Sequence, residues 1–459
     1  MTARAAAAGQ PAAARLAAYA AGLGFADLPV AVVERIKATI ADTVIAATGG
    51  AVEPAGRALD AYLAGQPAGA AALFDGSGRR MGAAPSALAN GVFAHAAEAD
   101  SLRRPGVGVH PGATIVPAVL AVAQEIGADG RSFIAAVTAG VEVMFRIGRA
   151  TRHSSEQRGF HAPGLTGPFG AAVATARLMR LDAPTTTRAI GLAGSLAGGL
   201  LNFAASGEAT TVKPLHIGRA AESGILAARL AASGMRGPTG VLDGPMGFLE
   251  VYCTRSSPEL LVAGLHDTFE SLSICFKAYP CHITAHAPVT GALLLREQQG
   301  LEAGDIDRIE LEVAPKTASL NVIARPADVG LARYSVPFSV ALALTDDPRD
   351  PGAWARRLRD PLVLDLAGRI VLRARPEGAA SDPWSATLTA DVKDRRRLQI
   401  EVTDFPGTPT MPFAPDDLER KLQGLVPASL RPAAHRALER LMHLEKETSL
   451  DWLSVHPDC

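Results

Sequence analysis

The chain has 459 residues, too many for one ordinary core, and its 48% hydrophobic and 20% charged residues exclude global disorder. Two or three domains are expected, with two as the starting count. Lys plus Arg number 45 against 46 Asp plus Glu, which excludes the broad basic field of a nucleic-acid binder, so any anion site must be local.

Residues 1–11 are Ala-rich with Arg4 but lack the leucine-rich core of a signal peptide, so they read as a loose tail and secretion is not expected. Asp27 and Pro29 open a helix whose apolar Val33, Ile36, Ile40, Val44 and Ala47 recur at helical spacing until Gly49-Gly50. Segments 86–97, 114–126, 133–149, 170–179, 187–200, 217–233 and 245–253 read the same way, with Gly, Pro or Asn at most junctions. Roughly the first 260 residues are therefore predicted to be all-helical. The most apolar stretch, 115–147, is broken by Gln124, Glu125, Asp129, Arg131 and Glu142, which leaves no run long enough to span a bilayer. Cys253, Cys275, Cys281 and Cys459 show no C-x-x-C spacing and are too few for a disulfide framework, which points to a reducing compartment, the cytoplasm.

After about Ile274 the period changes. Ile309, Leu311 and Val313 alternate with Arg308, Glu310 and Glu312, the pattern of a half-buried strand. Segment 369–375 is another strand, 386–392 and 398–402 form a hairpin around 393–397, and 337–345 is a short apolar helix. From Pro415 the pattern is helical again, with Leu418, Leu422, Leu438 and Leu441 at helical spacing. The expected architecture is mainly α: a large all-helical domain of residues 1–268 plus 406–459, and an inserted, smaller α+β lid of residues 269–405.

Five short stretches interrupt the apolar helices with His, Lys or acid beside Gly or Pro. They are His95-Ala-Ala-Glu98-Ala-Asp100, Val109-His110-Pro111-Gly112, Gly159-Phe160-His161, Lys213-Pro214-Leu215-His216 and Lys277-Ala-Tyr279-Pro280-Cys281-His282. Such breaks are where a helical domain can build a cleft, because free helix termini attract anions. Taken singly, a His or Lys at a helix junction is more often a cap or a surface residue than a catalyst. His282 and His286 are spaced to share a metal from one helical face, but the Glu of H-E-x-x-H and a third ligand are missing. No G-x-G-x-x-G joins a strand to a helix, which disfavours a dinucleotide-binding fold. A non-catalytic helical scaffold explains the Ala-rich helices, but not the recurrence of His and Lys at the breaks.

In order, these motifs, together with Arg333-Tyr334-Ser335-Val336-Pro337-Phe338, resemble the MmgE/PrpD family over nearly the whole chain. Members of that family include 2-methylcitrate dehydratase, cis-aconitate decarboxylase and iminodisuccinate epimerase. The resemblance implies a cofactor-free and metal-free homodimeric enzyme, with a large helical domain and a lid, acting on a small di- or tricarboxylate. A lyase is the first expectation, a dehydratase or decarboxylase, and an epimerase the second. The shared chemistry moves a proton on carbon next to a carboxylate, which needs a positioned base and cationic stabilisation. The family pattern makes His161 and His282 acid or base groups, His110 a third site histidine and Lys213 the anchor of a substrate carboxylate. The sequence does not tell donor from acceptor. Lys277 and Tyr279 share the motif of His282, and His216 stands second to Lys213 as either a site residue or a cap.

One loop departs from the family. Dehydratase and decarboxylase relatives usually read His-x-x-Asp-x-Asp-Asp-Thr, whereas this chain has Glu98, Asp100, Ser101 and Leu102, then Arg103-Arg104. A guanidinium fits a carboxylate as a planar fork, so Arg103 is expected to replace the lost polar groups in binding substrate beside Glu98 and Asp100, while Arg104 is expected to be solvated.

Overall fold

The computed structural model describes residues 9–106, 108–205, 211–376 and 383–458. Most of the tail expected at 1–11, with Arg4, and also Cys459, lies outside the described residues. The chain is mainly α-helical. Helices α1 (Ala12–Gly22), α2 (Val30–Gly50), α3 (Ala83–Ala96), α4 (Pro111–Ile126), α5 (Gly130–Ala150), α6 (Ala162–Leu178), α7 (Ala183–Gly194) and α8 (Val212–Ala232) build one buried apolar cluster. Asp129 and Asp182 start α5 and α7 by accepting from the amides of Ser132 and Thr185 at 2.7 and 2.8 Å, and Gly127 ends α4 in the left-handed conformation at φ 66°. No helix among the described residues is long and apolar enough to cross a membrane.

Helix α6 begins eight residues before the expected start at 170, and it carries Pro163, Gly164, Gly167 and Pro168. Propensity argues against helix there, but packing overrides it. A Cβ at Gly164 would lie 2.1 Å from the Gly198 carbonyl and one at Gly167 would lie 2.7 Å from Ala220 Cβ, so only glycine lets α6 reach its neighbours.

The prediction of an all-helical first part needs correction. Strand β1 (Ala68–Ala72) pairs antiparallel with β2 (Arg80–Met81), and β3 (Leu102–Arg103) pairs with β4 (Ile274–Cys275). Both pairs are short and lack the alternation that marks a strand in sequence. The second pair matters most, because Leu102 opposite Cys275 brings the acidic loop beside the Lys277 motif.

A four-stranded sheet follows, ordered β6-β5-β7-β8, with β5 (Ile306–Val313) parallel to β6 (Ile370–Ala374) and antiparallel to β7 (Ala386–Val392), which pairs with β8 (Arg397–Val402). Ile306, Ile309, Leu311 and Val313 are buried under helices α9 (His286–Gln299), α10 (Val336–Thr345) and α11 (Pro361–Gly368) in a second apolar cluster. Leu418, Leu422, Leu438 and Leu441 of α12 (Pro415–Leu425) and α13 (Arg431–Leu441) belong to the first cluster instead. Lys421 of α12 pairs with buried Asp42 of α2 and donates to the Ala99 carbonyl, so the last helices fasten the acidic loop.

Helices α3 and α8 touch almost backbone to backbone, since a Cβ at Gly218 would lie 2.2 Å from the Leu88 carbonyl. Gly218→Ala is expected to cost about 2 kcal/mol by forcing these helices apart. Urea unfolding with an unchanged slope would measure it.

Candidate active site

Where the two apolar clusters meet lies a cavity of about 320 Å³. Its wall on the first side carries Glu98, His110, His161 and Lys213, and its wall on the second carries Lys277, His282, Thr284, Lys316, Tyr334 and Trp384. His110 and His161 are the residues that precede α4 and α6, and Lys213 lies in the first turn of α8. Three helix N-termini thus meet at the cavity, and their free amides add positive potential.

Glu98 follows the end of α3 with φ 54°, a left-handed conformation that a residue with a side chain seldom holds. That turn sends its carboxylate between two ammonium groups. Oε1 pairs with Lys213, Oε2 accepts from Lys277 at 3.0 Å, and His95 Nε2 lies 3.6 Å from Oε1. Burial opposes the charge of Glu98, but Lys213 and Lys277 outweigh it and hold the carboxyl well below the usual carboxylate range. The two lysines respond differently. Burial pulls Lys213 down despite Glu98, whereas at Lys277 burial is outweighed by Glu98 and Asp100 together, which push it up.

Three of the imidazoles on the cavity are tied back through Nδ1. His110 Nδ1 is 2.8 Å from Asp100 Oδ2, His161 Nδ1 is 3.0 Å from His216 Nδ1, and His282 Nδ1 is 2.8 Å from Thr284 Oγ1. Asp100 also meets His95 Nδ1 at 2.9 Å through its other oxygen, so it lies behind the wall rather than on it. Burial pushes His161 and His282 well below the ordinary imidazole range, and Lys213 adds to both. His110 is lowered by burial against the pull of Asp100. At neutral pH His161 and His282 are therefore uncharged, and able to accept a proton.

Two other expected site residues are not on the cavity. Tyr279 is buried with its hydroxyl 3.2 Å from Thr290 Oγ1. Arg103 is buried against Glu270, with Nη2 2.8 Å from Oε2, and is not among the lining residues. The reason is strand geometry: Leu102 lines the cavity, and the next residue of a strand faces the other way. Arg104 is not solvated either, since it pairs with Asp404 at 2.5 Å over the Phe405 ring. His286 stands behind His282, its Nδ1 3.4 Å from the His282 carbonyl and its Nε2 3.5 Å from the Tyr279 amide. Backbone groups therefore face both nitrogens.

His95, Asp100 and His110 are the group with metal-compatible spacing among the described residues. The distances of 2.8 and 2.9 Å are those of N–H donors on a carboxylate, so Asp100 already engages Nδ1 of both imidazoles, while buried His95 Nε2 has no hydrogen-bond partner among the described residues. Burial pushes the Cys275 and Cys281 thiols up to about 12, which leaves no thiolate there.

Sequence reasoning did not single out His153, Glu156, Lys316, Thr284 or Trp384, which also line the cavity. Glu156 pairs with Lys316 across the mouth and lies 2.8 Å from His153 Nε2. The i, i+3 spacing of His153 and Glu156 was the available signal; Lys316 offers none.

Convergent lysines, an ionised acid and uncharged imidazoles in a cavity define an enzyme-type site for a small anion. The sequence has matching relatives. Residues 14–261 match the MmgE/PrpD N-terminal domain and residues 279–445 the MmgE/PrpD C-terminal domain, and the chain belongs to the MmgE/PrpD family. It is 27% identical over 354 residues to the cis-aconitate decarboxylase of Homo sapiens, covering 74% of this chain and 71% of that one. The cis-aconitate decarboxylase of Aspergillus terreus is 29% identical over 377 residues, or 77% of this chain and 76% of its own.

Two outcomes follow from the geometry. His161, His282 and His286 have lowered pKa values, so near pH 6.5 the unfolded chain takes up protons that the folded one refuses. Stability is therefore full above about pH 6.5 and is lost as the pH falls toward the folded values, while Glu98 and Asp100 add a further loss only below about pH 4. Thermal midpoints constant between about pH 8 and pH 5 would contradict this. Arg103→Ala is expected to cost about 3 kcal/mol by stranding part of the Glu270 charge, with ligand affinity at the cavity unchanged. Denaturant unfolding and ligand titration separate the two effects.

Proposed function

We propose that the protein is a lyase acting on a small di- or tricarboxylate, and that it works as its decarboxylase relatives are named to do, on cis-aconitate or a near analogue. One observation carries the reading: two ammonium groups share a single carboxylate and face three imidazoles tied back through Nδ1. Lys213, bound to Glu98 on a partly open wall, is the group best placed to exchange partners and anchor a substrate carboxylate. Lys277, buried more deeply, holds Glu98 while it does so.

When a C–C or C–H bond next to a carboxylate breaks, its electron pair spreads onto that carboxylate as an enolate. The ammonium groups and the helix N-termini stabilise that charge in a water-poor cavity. For decarboxylation, the C–C electron pair stays behind as carbon dioxide leaves, and the Lys213 ammonium, or an imidazole that has first taken a proton from water, gives the proton that closes the carbanion. An uncharged imidazole takes or returns protons at need, His282 and His161 being the acid-base candidates and His110 the third. The scheme uses no cofactor. Dehydration of a methylcitrate-like substrate uses the same parts, and the names of the relatives favour decarboxylation.

In this reading residues 269–405, which hold most of the second apolar cluster, are a lid inserted into the helical domain, and closing it completes the cavity wall. We read the assembly as a homodimer in the cytoplasm. Exposed Leu200, Val212 and Leu215 line a groove outside the cavity and support the pairing, and the buried Cys253, Cys275 and Cys281, all free thiols, support the compartment.

The test is a product screen in heavy water with cis-aconitate, 2-methylcitrate, citrate and iminodisuccinate, followed by NMR. Loss of carbon dioxide from cis-aconitate is expected, unaffected by a chelator. Lys213→Ala and His282→Gln should each lower kcat about a hundred-fold with the fold retained. No turnover and no solvent exchange with any of the four compounds would refute the lyase.

A further inference from the structure

Behind His282 lies a short hydrogen-bonded chain whose directions can be read from its far end. Asn321 lies 2.9 Å from the Tyr334 carbonyl oxygen through one side-chain amide atom. A carbonyl can only accept, so that atom is Nδ2 and the other is Oδ1. Oδ1 lies 3.2 Å from Thr284 Oγ1. Two oxygens that close repel unless a proton lies between them, and Oδ1 has none to give, so the Thr284 hydroxyl donates to it. Its single proton is then spent. His282 Nδ1, 2.8 Å from the same Oγ1, must therefore be the donor of the remaining bond.

The geometry points to Asn321 and Thr284 as positioning residues that fix His282 as the Nδ1–H tautomer, so that Nε2 presents a bare lone pair to the cavity as the proton acceptor. The neighbours agree. His282 packs against the Tyr334 ring at 4.6 Å between centroids, and Asn321 and Thr284 are buried, so ring and relay are held together. Nothing comparable orders the His161 pair: both partners are imidazoles, and either Nδ1 can donate. His110 is tied to a carboxylate instead, which accepts from Nδ1 in both the neutral and the charged ring. The relay thus separates His282 from His161 by direction, and from His110, whose Nδ1 also donates, by a neutral partner that does not favour the charged ring. This inference deepens the lyase reading and rests on it only for the use made of the lone pair.

The experiment is nitrogen-15 NMR of the full chain with labelled histidine at mildly alkaline pH, the His282 signals being assigned by their loss in His282→Gln. A protonated-type shift at Nδ1 and an unprotonated-type shift at Nε2 are expected. Thr284→Val should mix the tautomers and lower kcat about a hundred-fold, with KM changed less than about two-fold, while Thr284→Ser restores both the signature and the rate. The proton found on Nε2 in the unaltered protein overturns the relay, and so does a Thr284→Val protein that keeps the Nδ1–H signature. A correct signature in a protein that turns over no polycarboxylate leaves the relay standing and removes the lyase.

Discussion

The cavity is organised by one carboxylate between two ammonium groups. A buried charge is costly unless matched, and here Glu98 matches Lys213 on one oxygen and Lys277 on the other. The lysines come from distant parts of the chain, so their pairing with Glu98 joins α8 to the segment after β4. Remove the anion and two like charges face each other in a medium that screens them weakly. The left-handed backbone at Glu98 belongs to the same requirement, since it turns the side chain back from the end of α3 into that gap.

Around this centre the fold supplies rigidity from outside the cavity. β3 pairs with β4, which sets the acidic loop against the Lys277 motif. Lys421, on a helix near the end of the chain, takes the Ala99 carbonyl between the two acids of that loop. Asp100 then receives an imidazole on each oxygen, His95 from α3 and His110 from the start of α4. Small residues let α3, α6 and α8 approach closely enough for their ends to meet, as at Gly164 and Gly218. The chemistry-bearing groups thus stand on element ends, held by packed helices.

Long periodic segments were legible in sequence, because a helix face or a strand such as 306–313 repeats its pattern several times. The start of α6 was not, since Pro163, Gly164 and Gly167 argue locally against a helix that tertiary packing requires. At the cavity, motifs with Gly or Pro beside His or Lys were visible, and the family resemblance set them in order. Arg103 was misread because its direction is decided by a two-residue strand too short to show any period. Glu270, its actual partner, is 167 positions away and carries no mark of the pairing. Thr284 and Asn321 were invisible for a similar reason: a hydroxyl and an amide in unremarkable positions acquire direction only when a third backbone group is brought to them.

Ion pairs also link the two apolar clusters, and they are unequal. Lys316, which meets Glu156 at the mouth, keeps 47% of its side chain in water, whereas Arg333, which meets Glu53, keeps 3%. An exposed pair is cheap to separate and weakens further in salt, while a buried one resists both. The junction therefore has a weakly held margin at Lys316 and a firmly held one at Arg333. Added salt weakens the Lys316 pair more than the Arg333 pair, so the two edges of the junction differ in how strongly they depend on ionic strength.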